Sequence, residues 1–415
     1  MDIEKEGEHV EEKKVYLVGI GMGSTGCLTK EAEQIILQSE ILIGAKRMLE
    51  PFLERKEKEE KEFFTSYRAE EIGAFLMQHQ TFTKAAVLLS GDVGFYSGAK
   101  GLLEELKDFT VQLVPGISSM IYFCSRLKLS WEDVCFTSAH GKESNLIQRI
   151  QKNKKTFALL DGPEKLKELC EKLIRYGMGG VMLHIGERLS YEDEKLISEK
   201  AEELKDFAFG NLLVILVENE QAYHPVCTSI PDEAFIRTKV PMTKREVRNV
   251  SIGKLELQPD SVVYDIGAGS GSVSVEIAMQ SPDIKVYAIE KNPEALDLIE
   301  QNKCKFAADN IEIIHGMAPL ALKELPAPTH VFIGGSSGNM EEILNTVLAK
   351  NENANIVINT VALNSMAKVM EWIEKRNDLE TEIVQLQVSK SKKIGEYHMM
   401  MGQNPIYIIS MHRKR

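Results

Sequence analysis

The stretch VVYDIGAGSGSVSVEIA, which runs from Val262 to Ala278, decides how the second half of this chain folds. An apolar run ends at Asp265 and is followed by glycine at alternate positions, Gly267, Gly269 and Gly271, and then by small and apolar residues. The pattern predicts a buried strand, a tight turn and a helix, because glycine tolerates the positive φ angles of a tight turn. Such a turn presents backbone N–H groups to a ligand at the start of the helix.

The spacing of this turn favours S-adenosylmethionine over a dinucleotide, because the dinucleotide pattern G-x-G-x-x-G needs glycine where Ser272 stands. The next apolar run, KVYAIE, ends at Glu290, where a carboxylate can accept hydrogen bonds from a ribose in either ligand. In the loop HGMAPLAL, the backbone around Met317 and Ala318 is a candidate to bracket an adenine. The alternatives are a tight turn without a ligand, a Glu290 that is only exposed to solvent, and an Asp265 that caps the turn instead of orienting backbone or a ligand amine.

Short apolar runs alternate with helical patterns along the chain, which predicts an α/β protein with largely parallel sheets. A second glycine-rich turn occurs in VYLVGIGMGSTG (Val15–Gly26), and Thr29 is the predicted N-cap of the helix that follows it. The alternation breaks at two prolines in NEQAYHPVCTSIPDEAF, where we place a linker at residues 221–229. The predicted domains are therefore residues 1–222 and 228–415. The last two apolar runs, LETEIVQLQVS and NPIYIIS, are predicted to pair as an antiparallel hairpin that closes the second domain's sheet.

The composition argues against several classes of protein. The 415 residues carry a formal net charge of −12, which disfavours nucleic acid as a partner because binding to phosphates needs a basic surface. No run of about 18 apolar residues occurs, so no membrane span is predicted. The acidic start MDIEKEGEHVEEKK does not resemble a signal peptide, and the six scattered cysteines form no CxxC pair. We therefore expect reduced thiols in a cytoplasmic protein that binds no metal.

Three segments of the second half, taken together, resemble the decarboxylating precorrin methyltransferases of the cobalamin pathway. They are RTKVPMTKREVRNVSIGKLELQPDSVVYDIGAGSGSVSVEIA, FIGGSSGNMEEIL and SKSKKIGEYHMMMGQNPIYIIS, and they follow one another over about residues 230–415. The resemblance implies a Rossmann-like class I methyltransferase domain with a site for S-adenosylmethionine. One departure is Asn364 in NTVALNSM, where the family more often carries an acid. The expected donor-site residues, with Asp265 added from its place in the turn, are Thr243, Asp265, Gly267, Ala268, Gly269, Ser270, Gly271, Glu290 and Ala318.

Motifs of the first half, over about residues 14–220, resemble the tetrapyrrole methylase family, in particular the precorrin methylases that act on a meso carbon. The motifs are VGIGMGSTGCLT, LLSGDVGFYSGAKGL and LVPGISSMIYFCSRLKLSWEDVCFTSAHGK. The resemblance implies a fold of two α/β lobes that holds S-adenosylmethionine in a folded shape, with the glycine turn, including Gly21, nearer the tetrapyrrole. Met22 and Val93 depart from the family pattern, which more often has proline there. The residues expected to contact the donor are Gly91, Asp92, Phe95, Ser118 and Ser119.

The residues of the first half also have simpler interpretations when they are considered without the family. Asp92 follows a predicted strand in the motif SGD and could form an Asx turn with its own loop. Ser118 and Ser119, at the start of a predicted helix, could be helix caps. His140, in SAHGK, is either a hydrogen-bonded loop histidine or a contact for the substrate.

The two resemblances together imply one substrate lineage, a corrin precursor that carries acetate and propionate arms. By analogy, the first domain methylates C5, and the second methylates C15 and removes CO2 from the C12 acetate, each with its own S-adenosylmethionine site. Methyl transfer to an electron-rich ring needs alignment more than a general base, so we assign no catalytic residue. The sequence contains no recognisable metal site or nucleophilic triad, and a homo-oligomer is expected because related domains tend to assemble.

A macrocycle with many carboxylates needs cations on an otherwise acidic chain. Arg245 is the first choice, because arginine binds carboxylates in a bidentate manner and Thr243 lies in the same motif. The alternative for each basic cluster is an ordinary surface role. The predicted substrate-binding residues are Arg245, Lys392, His140 and Gly21, and further basic candidates are Lys244, Arg248, Lys390 and Lys393.

Two other functions remain open at the level of sequence. One is a methyltransferase for another substrate, such as RNA or a small aromatic compound, which the acidic charge and the tetrapyrrole-methylase motifs disfavour. The other is a binding protein for an adenosyl group or a tetrapyrrole with one degenerate site, which only the departures at Met22, Val93 and Asn364 support.

Overall fold

The structure is a computed structural model that describes residues 13–53, 61–79, 81–138, 145–206, 208–223 and 229–414. None of the helices in these ranges is long and apolar enough to cross a membrane. The chain divides into two compact units. The first is Met1–Lys142, Lys155–Glu168 and Val181–Glu218, and the second is Glu143–Lys154, Leu169–Gly180 and Asn219–Arg415.

The first unit begins with a parallel sheet of five strands among the described residues, in the order β3-β2-β4-β1-β5. Strand β1 lies between β4 and β5, so the loops that leave these three strands meet at one edge of the sheet. The strands are β1 Lys14–Gly19, β2 Ile41–Gly44, β3 Glu62–Thr65, β4 Lys84–Leu89 and β5 Thr110–Val114, and the helices are α1 Lys30–Gln38, α2 Lys46–Leu53, α3 Ala69–Gln78, α4 Ala99–Glu105 and α5 Ser119–Leu127.

A second sheet follows, in the order β6-β7-β10-β8-β9, and it corrects the expectation of largely parallel sheets. Only β6 and β7 pair in parallel, whereas the other three pairings are antiparallel. The short connection between β8 and β9 accounts for one of these pairs, since a parallel pair needs a long crossover, usually a helix. The other two arise because β10 lies between β7 and β8 and runs opposite to both. The strands are β6 Val134–Ser138, β7 Lys155–Asp161, β8 Met182–Glu187, β9 Lys195–Lys200 and β10 Leu212–Glu218, and the helices are α6 Leu146–Lys152 and α7 Pro163–Arg175.

The second unit contains a seven-stranded sheet in the order β13-β12-β11-β14-β15-β19-β16, counted over the described residues. The first five strands of this order are parallel, and β19 runs antiparallel to both of its neighbours. Its strands are β11 Val262–Ile266, β12 Lys285–Glu290, β13 Ile311–His315, β14 His330–Ile333, β15 Asn355–Thr360, β16 Leu379–Leu386 and β19 Ile406–Arg413. Its helices are α8 Arg245–Leu255, α9 Ser272–Ala278, α10 Pro293–Lys305, α11 Met340–Lys350 and α12 Leu363–Glu374.

The predicted hairpin at the end of the chain is confirmed, because β16 and β19 pair in an antiparallel register with Ile383 opposite Ile409. The segment between them forms a ribbon of its own, β17 Ser389–Ile394 and β18 Tyr397–Gly402, in which every residue is exposed. This ribbon was not predicted, because the segment as a whole is polar and contains glycine, although β18 carries three consecutive methionines, Met399, Met400 and Met401. The predicted N-cap Thr29 is also confirmed, since its side chain accepts a hydrogen bond from the N–H of Ala32.

Apolar residues of the seven-stranded sheet pack against helices on both faces. One face carries Tyr264, Ile266 and the apolar side of α11, and the other carries Val263 and the whole of α9. This two-sided burial explains why the strands read as nearly continuous apolar runs. The structure therefore confirms the α/β class for both units, as the alternation predicted.

Helix α6 and the end of α7 belong to the second unit although they follow strands of the first in the chain. Gln148 on α6 is fully buried, and its amide donates to the carbonyl of Ala278 at 3.0 Å and to Oδ1 of Asn310 at 2.9 Å. Lys152 donates to the carbonyl of Met279 at 2.7 Å. Burial lowers the pKa of this lysine.

Candidate functional site

A cleft of about 300 Å³ opens at the carboxyl ends of β11, β12, β13 and β14 in the second unit. In an open α/β sheet this is the edge where ligands bind, because the strand order reverses there. The segment that precedes α8 contributes a further wall. The cleft is lined by Val240, Pro241, Thr243, Ile266, Gly267, Ala268, Gly269, Ile289, Glu290, Lys291, Asn292, Ala295, Gly316, Met317, Ala318, Gly334, Gly335, Ser336, Ser337 and Ile343.

The glycine turn between β11 and α9 forms the floor of this cleft. Gly267, Gly269 and Gly271 all have positive φ, at 74°, 55° and 73°, which explains why the sequence carries glycine at these three positions. The N–H groups of Gly267 and Ala268 donate to the carbonyl of Ile289 at 3.0 and 3.2 Å, which ties the turn to β12. Gly271 is the N-cap of α9.

Close packing of backbone against backbone is a second reason for glycine in the turn. A Cβ on Gly267 would lie 2.7 Å from the carbonyl oxygen of Gly335 and 2.9 Å from its nitrogen. A Cβ on Gly269 would lie 3.0 Å from the carbonyl oxygen of Pro241. The turn therefore brings the loop after β14 and the segment before α8 to the same cleft.

Glu290 ends β12 and faces the glycine turn. Its Oε2 accepts from the N–H of Gly269 at 2.9 Å, and its Oε1 accepts from the N–H groups of Lys291 at 2.8 Å and Asn292 at 3.0 Å. These backbone donors hold the carboxylate in one orientation. Its side chain is half-buried, which leaves part of it accessible from the cleft.

Asp265 is the last residue but one of β11 and lies behind the turn rather than in the cleft. It is fully buried, the hydroxyl of Ser274 on α9 donates to its Oδ2, and its Oδ1 has no hydrogen-bond partner among the described residues. Burial raises the pKa of Asp265 to about 7, the Ser274 hydrogen bond opposes this rise, and the negative charge of Glu290 adds to it. Its geometry is that of a group that fixes α9 to the turn.

The structure brings six of the nine predicted donor-site residues to the cleft wall, namely Thr243, Gly267, Ala268, Gly269, Glu290 and Ala318. Ser270, Gly271 and Asp265 are not part of that wall. Ser270 is buried, its carbonyl accepts from the amide of Asn302 at 2.9 Å, and its Oγ has no partner among the described residues. The roles of the lining residues toward a donor stay predictions.

The basic residues of TKREVR do not line the cleft. The guanidinium of Arg245 donates to the hydroxyl of Ser229 at 2.8 Å and to its carbonyl at 3.0 Å. Arg248 is fully buried, where it forms ion pairs with Asp232 and Glu276, so it cannot reach a substrate and that candidate role was wrong. Burial raises the pKa of Glu276, and the pair with Arg248 opposes the rise.

The basic residues of SKSKK lie elsewhere in the second unit. Lys390 pairs with Glu246 at 2.9 Å. Lys392 and Lys393 are exposed on β17 and are not part of the cleft wall. The predicted substrate role of Lys392 is neither supported nor excluded by this position and stays a prediction.

The loop after β14 is the part of the cleft to which no site residue was assigned from the sequence. Gly334, Gly335, Ser336 and Ser337 line the cleft, and Nζ of Lys291 donates to Oγ of Ser337 at 2.8 Å across it. The sequence does show a pattern typical of a ligand-binding loop, because FIGGSSGN has small residues directly after an apolar run. This pattern indicates that the loop belongs to the site only when β14 is known to lie beside β11.

In the first unit, three loops converge where β1, β4 and β5 end. Gly21 and Gly91 form an antiparallel bridge, with N–H to carbonyl distances of 3.1 and 2.6 Å. A Cβ on Gly116 would lie 2.3 Å from the carbonyl oxygen of Gly91 and 2.6 Å from that of Gly19. The predicted site residues Gly21 and Gly91 are therefore neighbours.

Asp92 and Ser118 have structural partners at this junction. Oδ2 of Asp92 accepts from the N–H of Gly94 at 2.9 Å, which makes an Asx turn, and Oδ1 accepts from the N–H of Gly116 at 3.1 Å. Ser118 is the N-cap of α5, and its hydroxyl accepts from the N–H of Ile121. Contacts of either residue with a methyl donor stay predictions.

The remaining predicted residues of the first unit fall in different surroundings. Ser119 is the first residue of α5. Phe95 packs edge-on against Phe136, with ring centroids 6.0 Å apart, in an apolar cluster. His140 lies outside the described residues.

The cleft of the second unit fits an adenosyl ligand on three observations. Its volume lies at the lower end of the range for small-molecule sites. Glycine backbone forms its floor, and Glu290 ends the strand next to the turn.

The described residues bring together no three His, Cys, Asp or Glu side chains that could hold a metal ion, and the expectation of no protein-bound metal stays a prediction.

Comparison with known proteins identifies two families along the chain. The tetrapyrrole (corrin/porphyrin) methylases match residues 14–205, and the precorrin methyltransferase domain matches residues 233–413. A probable cobalt-precorrin-6B C(15)-methyltransferase (decarboxylating) of Pyrobaculum calidifontis is 39% identical over 184 residues, which are 44% of this chain and 94% of that protein. A precorrin-6Y C(5,15)-methyltransferase (decarboxylating) of Sinorhizobium sp. is 24% identical over 383 residues, 91% of each protein.

Among solved structures, the precorrin-6y C5,15-methyltransferase of Geobacter metallireducens is 41% identical, covers 46% of this chain and 98% of its own, and has a TM-score of 0.43. The resemblance inferred from the motifs is confirmed by the sequence relatives. Because the Pyrobaculum relative is matched over nearly its whole length at 39% identity, this chain belongs to the family of decarboxylating precorrin methyltransferases.

Proposed function

We propose that the chain is a bifunctional methyltransferase of corrin-ring biosynthesis, which methylates a precorrin or cobalt-precorrin at C5 and C15 and removes CO2 from the C12 acetate. The observation that carries the proposal is that both family matches occur on one chain. A relative named for both methylations and the decarboxylation matches 91% of this chain. We assign C15 methylation and decarboxylation to residues 228–415, and C5 methylation to residues 1–222.

The cleft of the second unit supports a donor site for one S-adenosylmethionine. That molecule supplies an electrophilic methyl group on a sulfonium. Glu290, already oriented by the N–H groups of Gly269, Lys291 and Asn292, offers carboxylate lone pairs to the ribose hydroxyls. Met317 and Ala318 line the cleft and offer a wall for the adenine.

The contribution of the protein to methyl transfer is alignment of the two reactants. The attacking carbon belongs to an electron-rich ring, so the residues of the cleft need to hold the ring and donor at contact distance and to exclude water. Loss of CO2 leaves an electron pair that the conjugated ring can absorb, which is the role of an electron sink. Neither step requires a protein nucleophile, and we assign no general base.

The junction of Gly21, Gly91 and Gly116 in the first unit supports a second site. Its three loops are held together by the bridge between Gly21 and Gly91 and by the hydrogen bond from Gly116 to Asp92. They therefore form a well-fixed edge that could bind a donor and a tetrapyrrole. The presence of a donor site in each domain is part of the proposal. A homo-oligomeric state and a cytoplasmic location remain predictions from the sequence.

The test is turnover of metal-free and cobalt-bound precorrin-6B with S-adenosylmethionine, followed by mass spectrometry. We expect the gain of two methyl groups and the loss of one CO2. Glu290→Ala removes the carboxylate that faces the turn, and we expect it to abolish C15 methylation and CO2 loss while C5 methylation persists.

Glu294→Ala is the matched control, because this exposed acid on α10 lies four residues away and is not part of the cleft wall. We expect it to leave both methylations intact. Loss of C5 methylation alone in Glu290→Ala would reverse the assignment of the two domains. Absence of any methyl gain with the unmodified protein would refute the proposed function.

A further inference from the structure

A small pocket of about 10 Å³ lies beside the glycine turn of the first unit, and apart from Gly21 its residues have no role in the proposed function. Residues Gly21–Ser24 form one wall, Arg47 at the start of α2 forms another, and Tyr191 closes it. Its present volume is enough for about one water molecule. Tyr191 is the aromatic side chain from the loop between β8 and β9 that lines the pocket.

Arg47 carries the positive charge of this pocket. Its guanidinium donates to the hydroxyl of Tyr191 at 3.5 Å, a long hydrogen bond, and it has no carboxylate partner among the described residues. Arginines nearby in the same unit are paired, Arg188 with Asp193 at 2.7 Å and Arg126 with Glu194 at 2.9 Å. Among the residues that the structure describes, no acid uses the bidentate face of Arg47, which is a half-buried cation.

The turn adds backbone donors to the same pocket. The N–H of Gly21 donates to Gly91, and the N–H of Ser24 donates to Oγ of Ser190 at 3.0 Å. Between them, the N–H groups of Met22 and Gly23 have no acceptor among the residues that the structure describes. Consecutive N–H groups in a glycine turn form a concavity suited to an anion.

The loop that carries Tyr191 is held in place by its own contacts. Arg188 and Ser190 have positive φ, at 50° and 68°, which residues other than glycine seldom adopt. The N–H of Ser190 donates to Oε2 of Glu194 at 2.7 Å, and the guanidinium of Arg188 lies 4.6 Å from the centre of the Tyr191 ring. Backbone strain of this kind is kept where the surrounding contacts enforce it, often next to a ligand.

The ring of Tyr191 lies directly against the turn. A Cβ at Gly23 would be 2.1 Å from Cζ of Tyr191, so the ring occupies the space that a side chain would take. The hydroxyl of the same ring accepts from the guanidinium of Arg47. An anion that displaced the ring would find the guanidinium and the two N–H groups at once.

We propose that this pocket binds one carboxylate arm of the tetrapyrrole through Arg47. The side chain of Tyr191 moves out of the pocket when the carboxylate enters. The inference rests on the proposed function for the identity of the substrate. The driving force is the exchange of a 3.5 Å bond to a phenol for a charge-assisted, bidentate pair with a carboxylate. Arg47 is thus a specificity-determining residue for a ring with acidic arms.

The test uses the full-length protein and uroporphyrin, a porphyrin with acetate and propionate arms, with its fully esterified form as the uncharged probe. Binding is followed by the change in visible absorbance. We expect Arg47→Ala to weaken binding of the acid about tenfold or more and to leave the ester unchanged, since a charge-assisted bond is lost. Arg47→Lys keeps the charge without the bidentate face, and we expect a smaller loss.

Arg68→Ala is the matched control, because Arg68 is an exposed arginine of the same unit that pairs with Glu71. We expect its affinity for the acid to equal that of the unmodified protein. Tyr191→Phe keeps the ring and removes the hydroxyl that holds Arg47, so the acid should bind at least as tightly as before. Equal affinities for Arg47→Ala and Arg68→Ala, equal losses for acid and ester, or no binding of the acid by the unmodified protein would each overturn the inference.

The same variants separate this inference from the proposed function. Arg47→Ala should leave C15 methylation by the second unit intact. If the unmodified protein transferred no methyl group and Arg47→Ala still weakened binding of the acid, the proposed function would fail and the carboxylate pocket would stand. Full turnover together with porphyrin binding that Arg47→Ala left unchanged would refute the carboxylate pocket and support the proposed function.

Discussion

At the scale of single residues, two acids at the ends of neighbouring strands differ sharply in their surroundings. Glu290 receives three backbone N–H groups and is partly open to the cleft. Asp265 is fully buried, with the Ser274 hydroxyl as its side-chain donor and with Oδ1 unsatisfied among the described residues. Burial therefore raises the pKa of Asp265 to about 7, and its charge depends on pH near neutrality.

Asp265→Asn is expected to remove a pH dependence of stability. The pKa of an aspartate in the unfolded chain is about 3.9, so between about pH 4 and 7 the folded protein binds more protons than the unfolded one. The stability of the unmodified protein relative to Asp265→Asn should therefore fall as pH rises through this window, by up to about 4 kcal/mol, and level off above it. Urea unfolding at several pH values measures the difference.

Asp260→Asn is the control for this experiment, because Asp260 is exposed and its removal should leave the pH profile unchanged. A difference between Asp265→Asn and the unmodified protein that stayed constant from pH 4 to 8 would contradict the raised pKa.

At the scale of elements, the turn between β11 and α9 determines the shape of the cleft. Its three glycines have positive φ, and Gly267 lies against the backbone of Gly335 in the loop after β14. Helix α9 then begins at Ser272 and is buried over its whole length, so the turn cannot move without disturbing the core. A substitution in the turn should therefore affect both stability and the cleft.

Gly267→Ala is expected to destabilise the protein by about 1–3 kcal/mol, because the new Cβ would collide with Gly335 and the residue must keep a positive φ. It should also weaken binding of S-adenosylhomocysteine by displacing the floor of the cleft. Urea unfolding and calorimetric titration measure the two effects.

Gly253→Ala, in helix α8, provides the comparison, since a Cβ there meets no atom within 4 Å. Alanine should stabilise this helix by up to about 1 kcal/mol and leave binding unchanged. Equal stabilities of the two variants would show that the close approach at Gly267 has no energetic consequence.

At the scale of the whole molecule, the glycine turns of the two units have different surroundings. In the first unit, backbone contacts join Gly21, Gly91 and Gly116, and in the second unit the carboxylate of Glu290 lies against the turn. Each unit thus has its own set of loops at the carboxyl ends of parallel strands. Our proposal requires that each unit binds one methyl donor.

Calorimetric titration of the full-length chain with S-adenosylhomocysteine should therefore give a stoichiometry of two. Glu290→Ala should reduce it to one by removing the site in the second unit, whereas Glu294→Ala should leave it at two. A stoichiometry of one in the unmodified protein would instead favour a chain with one degenerate site.

Much of the fold was predictable because each strand and turn is encoded locally. The apolar runs that became β11, β12, β14 and β15 are continuous because both faces of the sheet are covered. In the ribbon of β17 and β18 the only apolar run is three methionines in β18, and no residue of either strand is buried, so the ribbon lacks the pattern of a packed strand. The antiparallel pairing in the second sheet of the first unit depends on strand order, which the runs do not specify.

The candidate site was predictable only in part, for a related reason. Residues of the glycine turn and Glu290 could be named because they follow consecutive strands. The loop Gly334–Ser337 could not, since β14 joins β11 in the sheet from nearly 70 residues away. The burial of Arg248 against Asp232 and Glu276 could not be predicted either. A basic residue in a motif is expected at the surface unless its neighbours in the fold are known.

The sequence by itself determined the α/β class, the positions of both glycine turns, the acid that ends β12 and the family to which the chain belongs. The glycine turns and the acid are properties of short segments, in which residue type dictates backbone conformation, whereas the class and the family follow from the order of many such segments. Only the tertiary structure decided that Asp265 lies behind the turn, that Arg245 is engaged by Ser229, and that Arg47 and Tyr191 share a pocket. These contacts join segments that are distant in the chain. The burial and the hydrogen-bond partners of such side chains are determined only when the strands take their order in the sheet.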